Sequence, residues 1–482
     1  MLINRRHKAY FAAINNSWRS IFVIAVPMVL ALITYNLFFV IDRFMMLNYS
    51  VDAMNAVVAS SNFCSVISCF FSGLAGMSEI YVGRYNGAKQ FRLAAQPTWQ
   101  MIYLALASCV IFFPLGYFSN WLNLLPEYYE AVGVNYQRII MYGGPLTVLY
   151  VTLVAFFAGH GRSNLVTLCS LVGIVSNIVF DYLLIYGVKG WWPAYGESGA
   201  AYSTLITQAI QLVILAAIFF SRRYREHFRT GRPKVIPALA NEIAVKGFPI
   251  ACNEAMTMLA WYVIVTLVDF ISKDVATIYA LGSSIFSLQV FLGDGLCKSS
   301  AALAANFIGR GDLKGIHTVV WRLIVIAQLL IGGLIGLGWL VAQNNWMFSA
   351  GGNFMHIMHQ HHDHVVNMLI ILFAYVEVDS VMSILWGVLI AGGDTAFSSF
   401  MYQLMLWVCV VVPVGVLFMM HRLTGVEQPF GLSLWWAIVT TGIFLWRYFG
   451  KKWNQPILTL DVPLTGDSEP QPTVSECAPP KL

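Results

Sequence analysis

Apolar residues run in long, nearly unbroken blocks along this chain, and polar positions are confined to short gaps between them. Blocks of spanning length centre near Met28, Ile67, Ala107, Leu149, Val175 and Leu212. A second set centres near Leu259, Val290, Leu329, Val381, Val411 and Ile438. About 20 apolar residues in a helix cross the ~30 Å hydrocarbon layer of a bilayer. The pattern therefore predicts an all-α membrane protein with twelve transmembrane helices, six on either side of a basic interval. The implied division is a cytoplasmic N-terminal segment over 1–17, a first lobe over 18–220 and a basic linker over 221–236. A second lobe covers 237–449, and a polar, proline-rich tail over 450–482 is expected to be disordered.

Composition narrows this further. Of 482 residues, 58% are hydrophobic and 11% charged, with a mean hydropathy of +0.69. Soluble domains carry about 25% charged residues, so a cytosolic enzyme or an aqueous nucleic-acid binder is excluded. The eight cysteines show neither zinc-ligand spacing nor a disulfide framework. The first apolar block is too long for a signal-peptide core and lacks a small-residue cleavage site, so it is expected to remain a span. Cys477 stands too far from the end for prenylation.

The basic residues then orient the chain. With the N-terminus in the cytoplasm, 22 of the 28 Lys and Arg fall in inner segments, including Arg222, Arg223, Arg225, Arg229, Arg232 and Lys234 of the linker. Only Arg43, Lys189, Lys273 and Arg422 fall outside, and Arg138 and Lys298 lie within spans. The positive-inside rule thus predicts both termini in the cytoplasm.

The two halves also repeat. Pro27 pairs with Pro249, Gly73 with Gly295 and Gly87 with Gly309, all at an offset of 222. Ala158 to Ser163 ("AGHGRS") is similar to Ile390 to Thr395 ("IAGGDT") at an offset of 232. An even number of spans per half inserts both in the same orientation, so two six-helix lobes should be related by a pseudo-twofold axis along the membrane normal.

Ionisable groups inside a bilayer are costly and mark candidate chemistry. Asn177 and Asp181 are spaced i,i+4 on the fifth span, and Asp42 and Thr204 lie at comparable depth on the first and sixth. Together they form either a site for a proton or small cation, or an interfacial acid beside a structural hydrogen bond. A second set is Glu254 on the seventh span with Tyr375, Glu377 and Asp379 on the tenth. Hard oxygen ligands of this kind suit Na+ or a carried proton, or a structural network. Asp294 and Lys298, also i,i+4, read as an internal ion pair, or Lys298 instead neutralises Glu254 or Asp379. His356, His359, His361, His362 and His364 crowd one outer loop without tetrahedral spacing, so a solvated loop is favoured over a metal site. Gly83, Gly87, Gly309 and Gly311 fit tight inner loops, without the GK[ST] ending of a nucleotide cradle. No nucleophile–base set or zinc-protease motif is present in the sequence, so no enzyme activity, cofactor or resident metal is expected.

These motifs together resemble the multidrug and toxic compound extrusion (MATE) family across about Ser17 to Gly450. The carriers are "VPMVLALITYNLFFVID" on the first span and "GRYNGAKQ" after the second. "AGHGRSN", "SNIVFDYLLIYG" and "SGAAYST" follow over spans four to six, and "YVEVDSVMSILWGVLIAGGDT" over span ten and the next loop. The resemblance implies that Asp42, Asn177, Asp181 and Thr204 form a first-lobe cation and proton site, with Tyr375 and Asp379 in a weaker second-lobe site. There the family glutamate usually stands eight residues after the span-seven proline, at Thr257 here, whereas Glu254 stands five after Pro249. It implies a monomeric antiporter in a bacterial cytoplasmic membrane that exports small organic cations or drugs. H+ or Na+ entry would drive it, with span one bending at Pro27. The alternative is a lipid-linked oligosaccharide flippase of the same superfamily, although only Arg138 and Lys298 are intramembrane bases.

Overall fold

The structure is a computed structural model that describes residues 16–120, 130–188, 193–269, 273–343, 362–423, 425–451, 453, 458–461 and 473–476. His356, His359 and His361 lie outside the described residues. Twelve helical rods account for most of the chain. Span 1 is Trp18–Tyr49 and span 2 is Val51–Gly76 continued by Ser78–Gly87. Span 3 is Gln96–Ala107 with Cys109–Tyr117, span 4 is Glu130–Gly159, and span 5 is Ser163–Asp181 ending in a π-helical turn, Tyr182–Tyr186. Span 6 is Gly196–Phe219. After a short linker helix, Arg222–Phe228, come span 7 (Pro237–Asp269), span 8 (Lys273–Gly309) and span 9 (Leu313–Gln343). Span 10 is His362–Ala391, span 11 runs from Thr395 to Met419 through a π turn at Trp407–Val411, and span 12 is Glu427–Phe449.

Ten of these are long and apolar enough, among the described residues, to cross a membrane. Of the other two, span 1 contributes an apolar stretch over Trp18–Thr34, and span 8 is 37 residues long. Large apolar side chains such as Val110, Leu329 and Met419 stand exposed on the outside of the bundle. A lipid-facing surface has no need to bury them. Beyond span 12, strands β1 (Leu458–Asp461) and β2 (Thr473–Glu476) pair antiparallel within the segment expected to be a polar tail.

The packing obeys the predicted repeat. Span 2 packs on span 4, span 4 on span 6 and span 1 on span 5; spans 8, 10, 12, 7 and 11 repeat those contacts in the second lobe. Across the lobes, span 1 meets span 8 and span 2 meets span 7, which are mates under the same operation. The repeated glycines sit at these crossings. A Cβ on Gly73 would lie 3.2 Å from Ala251 Cα, and one on Gly295 would lie 2.6 Å from Val29 Cα. At the ends of spans 2 and 8, a Cβ on Gly87 would fall on Asn306 and one on Gly309 on Arg84. Arg84 and Asn306 are themselves 222 residues apart, so the contact is isologous in the manner of a C2 interface. Gly83 abuts Ala305, its own mate, and places the pseudo-axis between them.

Hydrogen bonds close this end of the molecule with the same symmetry. Arg84 Nε donates to the Ala391 carbonyl at 3.1 Å, and Asn306 Nδ2 donates to the Gly159 carbonyl at 2.8 Å. Ala391 and Gly159 are mates at the 232 offset. Asn86 Nδ2 bonds Asn306 Oδ1 at 2.6 Å across the axis. The linker is tied to the same end: Trp99 Nε1 donates to the Thr230 carbonyl, and Gln100 reaches Lys234 and Ile236. The two lobes are thus shut against each other at the linker end. Farther along span 2, Ser65 to Phe70, Ser72, Gly73 and Gly76 are only half-buried, whereas Met77 to Gly83 are buried without a break.

Candidate functional site

Three of the four first-lobe candidates converge. Asp42 is 9% exposed, and Asn177 and Asp181 are fully buried. The i,i+4 spacing on span 5 turns both of its polar side chains to one face, and Asp42 of span 1 comes within side-chain interaction range of each. Asn177 Nδ2 donates to Ser203 Oγ at 3.2 Å. Asp42 Oδ1, Asn177 Oδ1 and both carboxylate oxygens of Asp181 have no hydrogen-bond partner in the structure. Four buried acceptor oxygens on three neighbouring side chains lack a hydrogen, which a bound proton or cation would supply. The π turn that starts at Tyr182 follows Asp181 directly, an irregularity of a kind frequent at functional positions.

The fourth candidate is placed differently. Thr204 is buried, but its Oγ1 donates to the Ala200 carbonyl of its own helix at 3.0 Å. The hydroxyl that reaches Asn177 belongs to Ser203, one residue earlier. Adjacent residues on a helix point about 100° apart, and the sequence alone does not say which of the two faces inward. Tyr136 of span 4, 6% exposed, lies within electrostatic range of both Asp42 and Asp181. It was not legible in the sequence, because nothing in its local spacing distinguishes it from any other aromatic residue of a span.

Pro27 sits inside span 1, and its carbonyl accepts a hydrogen bond from Thr167 Oγ1 of span 5 at 2.5 Å. The proline removes one backbone donor from the helix, and Thr167 pins the weakened turn to the span that carries Asp181.

In the second lobe, Tyr375 Oη donates to Asp379 Oδ1 at 3.1 Å, and both are buried. Asp379 packs against Gly293 of span 8, where a Cβ would lie 2.5 Å from its Oδ2. Glu254 is half-buried on span 7, with its Cγ against Gly73 of the other lobe. It shares an electrostatic field with Asp294 and Lys298. Asp294 and Lys298 do not close into an ion pair within 4 Å among the described residues, and Lys298 is exposed. Among the described residues, no group of three or more His, Cys, Asp or Glu could hold a metal ion.

Two pseudo-symmetric six-helix lobes, closed on each other at one end and holding buried acids, define the class: a polytopic, two-lobed helical membrane protein. The MatE family model matches residues 27–183, the stretch containing Pro27, Asp42, Asn177 and Asp181. The chain is 25% identical over 326 residues to a probable multidrug resistance protein, YoeA of Bacillus subtilis, covering 66% of this chain and 70% of that one. It is 23% identical over 310 residues to the probable multidrug resistance protein NorM of Thermotoga maritima, covering 62% and 66%. Its fold matches that of a multidrug resistance MATE family transporter in an outward-facing conformation, with a TM-score of 0.77 and 16% identity over 90% of this chain and 96% of that one. The chain is thus similar to the multidrug and toxic compound extrusion family in sequence over part of its length and in fold over most of it.

Proposed function

We propose that this protein is a secondary antiporter that exports organic cations and drugs across a bacterial cytoplasmic membrane, driven by entry of H+ or Na+. The observation that carries the reading is the group of buried, unpartnered oxygens of Asp42, Asn177 and Asp181 in the first lobe. A buried carboxylate pair with only the exposed Arg43 guanidinium in its field is disfavoured, so its occupancy by a cation is energetically linked to the surrounding helices. The multidrug resistance names of the relatives support small-molecule export. Charge placement puts the linker end in the cytoplasm, so the arrangement with that end shut is the outward-open state.

Alternation then follows from the chain's own parts. A cation entering from outside neutralises Asp42 and Asp181, and span 1 rearranges at Pro27 against Thr167. Drug leaves the cleft to the outside. The symmetric contacts around Gly83 and Ala305 afterwards release, and the cleft opens inward. The test is uphill movement of ethidium in proteoliposomes, with proton and sodium gradients imposed separately. Movement is expected to follow one gradient or both; ethidium distributions that ignore both gradients would overturn the antiport reading.

A further inference from the structure

The exposed stripe of span 8 ends at a charge. Ser287 is exposed, Asp294 half-buried and Lys298 exposed, all on one face of the helix. One turn or two farther on, the same face is buried where Ala305 meets Gly83 of span 2. Lys298 therefore stands on the floor of the interlobe cleft, immediately above the seal. It is 11 residues from Gly309, about 16 Å into the membrane at the helical rise. Across from it, the mate position Gly76 is open, with nothing within 4 Å of an added Cβ.

The charge around this floor is one-sided. Glu254, Asp294 and Lys298 of the second lobe have Leu32, Ser72 and Gly76 as their 222-offset mates. Glu79 of span 2 is 7% exposed, lies in the field of Lys298, and has an Oε1 without a hydrogen-bond partner. Lys298 forms no contact within 4 Å with Asp294, although i,i+4 spacing on a helix would permit one. A lysine serving only to neutralise an acid would close on it, because an unpaired ammonium at this depth is costly. This one instead presents its charge to the cleft, with carboxylates on either side.

We propose that Lys298 is a specificity-determining residue that binds the carboxylate of a zwitterionic substrate whose amine is held by Glu254 and Asp294. The proposal rests on the export reading and names the substrate class of its cleft. Its chemistry requires opposite charges on one small molecule, set apart as Lys298 is from the acids. A simple monocation uses the acids alone and is repelled by the ammonium.

The test is binding to the purified, detergent-solubilised protein of two matched dyes: a rhodamine with a free carboxylate, and its methyl ester, which is cationic only. Lys298→Met is expected to weaken the carboxylate dye about tenfold or more, the loss of one charge-assisted contact. The same variant should bind the ester as well as or better than the unaltered protein, and Lys298→Arg should restore the carboxylate dye. The opposite directions separate recognition from misfolding, which would weaken both dyes. Equal losses for the two dyes, or no change in either, would overturn the role of Lys298 while leaving the export reading intact. If the unaltered protein binds neither dye, the export reading and this inference both fail.

Discussion

At the scale of single residues, scarcity of charge makes the site readable. Asp42, Asn177 and Asp181 stand out in the sequence because a polar or charged group within a span is costly without a partner, and the structure brings them together with Asp42 Oδ1, Asn177 Oδ1 and both Asp181 oxygens unpaired. Ser203 and Tyr136 were not legible: a serine or a tyrosine in an apolar helix is tolerated on any face. Their contacts give a discriminating prediction. Ser203→Ala removes the hydroxyl that Asn177 uses and is expected to reduce efflux several-fold. Thr204→Val removes a hydroxyl bonded within its own helix and should leave efflux within about twofold of normal. Dye efflux from vesicles carrying each variant, normalised to protein content, checks the pair; an effect of Thr204→Val equal to that of Ser203→Ala would reverse the assignment.

At the scale of elements, the contacts that shut the linker end depend on glycine. Spans 2 and 8 approach until a Cβ at Gly87 or Gly309 would fall on the opposite backbone. Gly87→Leu or Gly309→Leu should therefore hold the lobes apart there, cut efflux at least tenfold and leave the protein in the membrane. Thiol labelling of a cysteine placed at Ala305 would rise in these variants if the end has opened, and unchanged labelling would contradict it. The offset of 222 was visible in the sequence, but not that repeated glycines touch across the axis, because a repeat fixes equivalence and not contact. The linker provides a second test. His160, just beyond span 4, is buried among Phe156, Tyr224 and Phe228, and burial pushes its imidazole down to about 3. An unfolded histidine titrates near 6.5, so the folded state binds fewer protons between these values and loses stability as pH falls below ~6.5, by up to about 1.4 kcal/mol per pH unit. His160→Phe keeps the aromatic contacts and should flatten the fall in thermal stability between pH 6 and 4; an unchanged slope would show that another group controls it.

At the scale of the whole molecule, twelve spans, two lobes and their like orientation all followed from block length and an even count of spans per half. The state of the cleft did not, because both states of a two-lobed protein satisfy the same hydropathy pattern. The structure supplies that missing part: one end closed by paired contacts around Gly83, Gly87 and Gly309. Cysteines at Gly83 and Ala305, where an added Cβ lies 2.9 Å from its mate, come within the about 3.5–4.5 Å of a disulfide once the spans part by roughly 1 Å, and the bridge should then hold this end shut. In a background with the native cysteines replaced, oxidation is expected to stop efflux and reduction to restore it. Full efflux in the oxidised, cross-linked protein would mean that this end never opens. The central claim, that cation occupancy of the first-lobe acids drives export, is tested most directly by uphill ethidium efflux in Asp42→Asn and Asp181→Asn variants. The prediction is a loss of at least tenfold in gradient-driven efflux, with membrane yield and melting temperature unchanged; normal uphill efflux from either variant would contradict it.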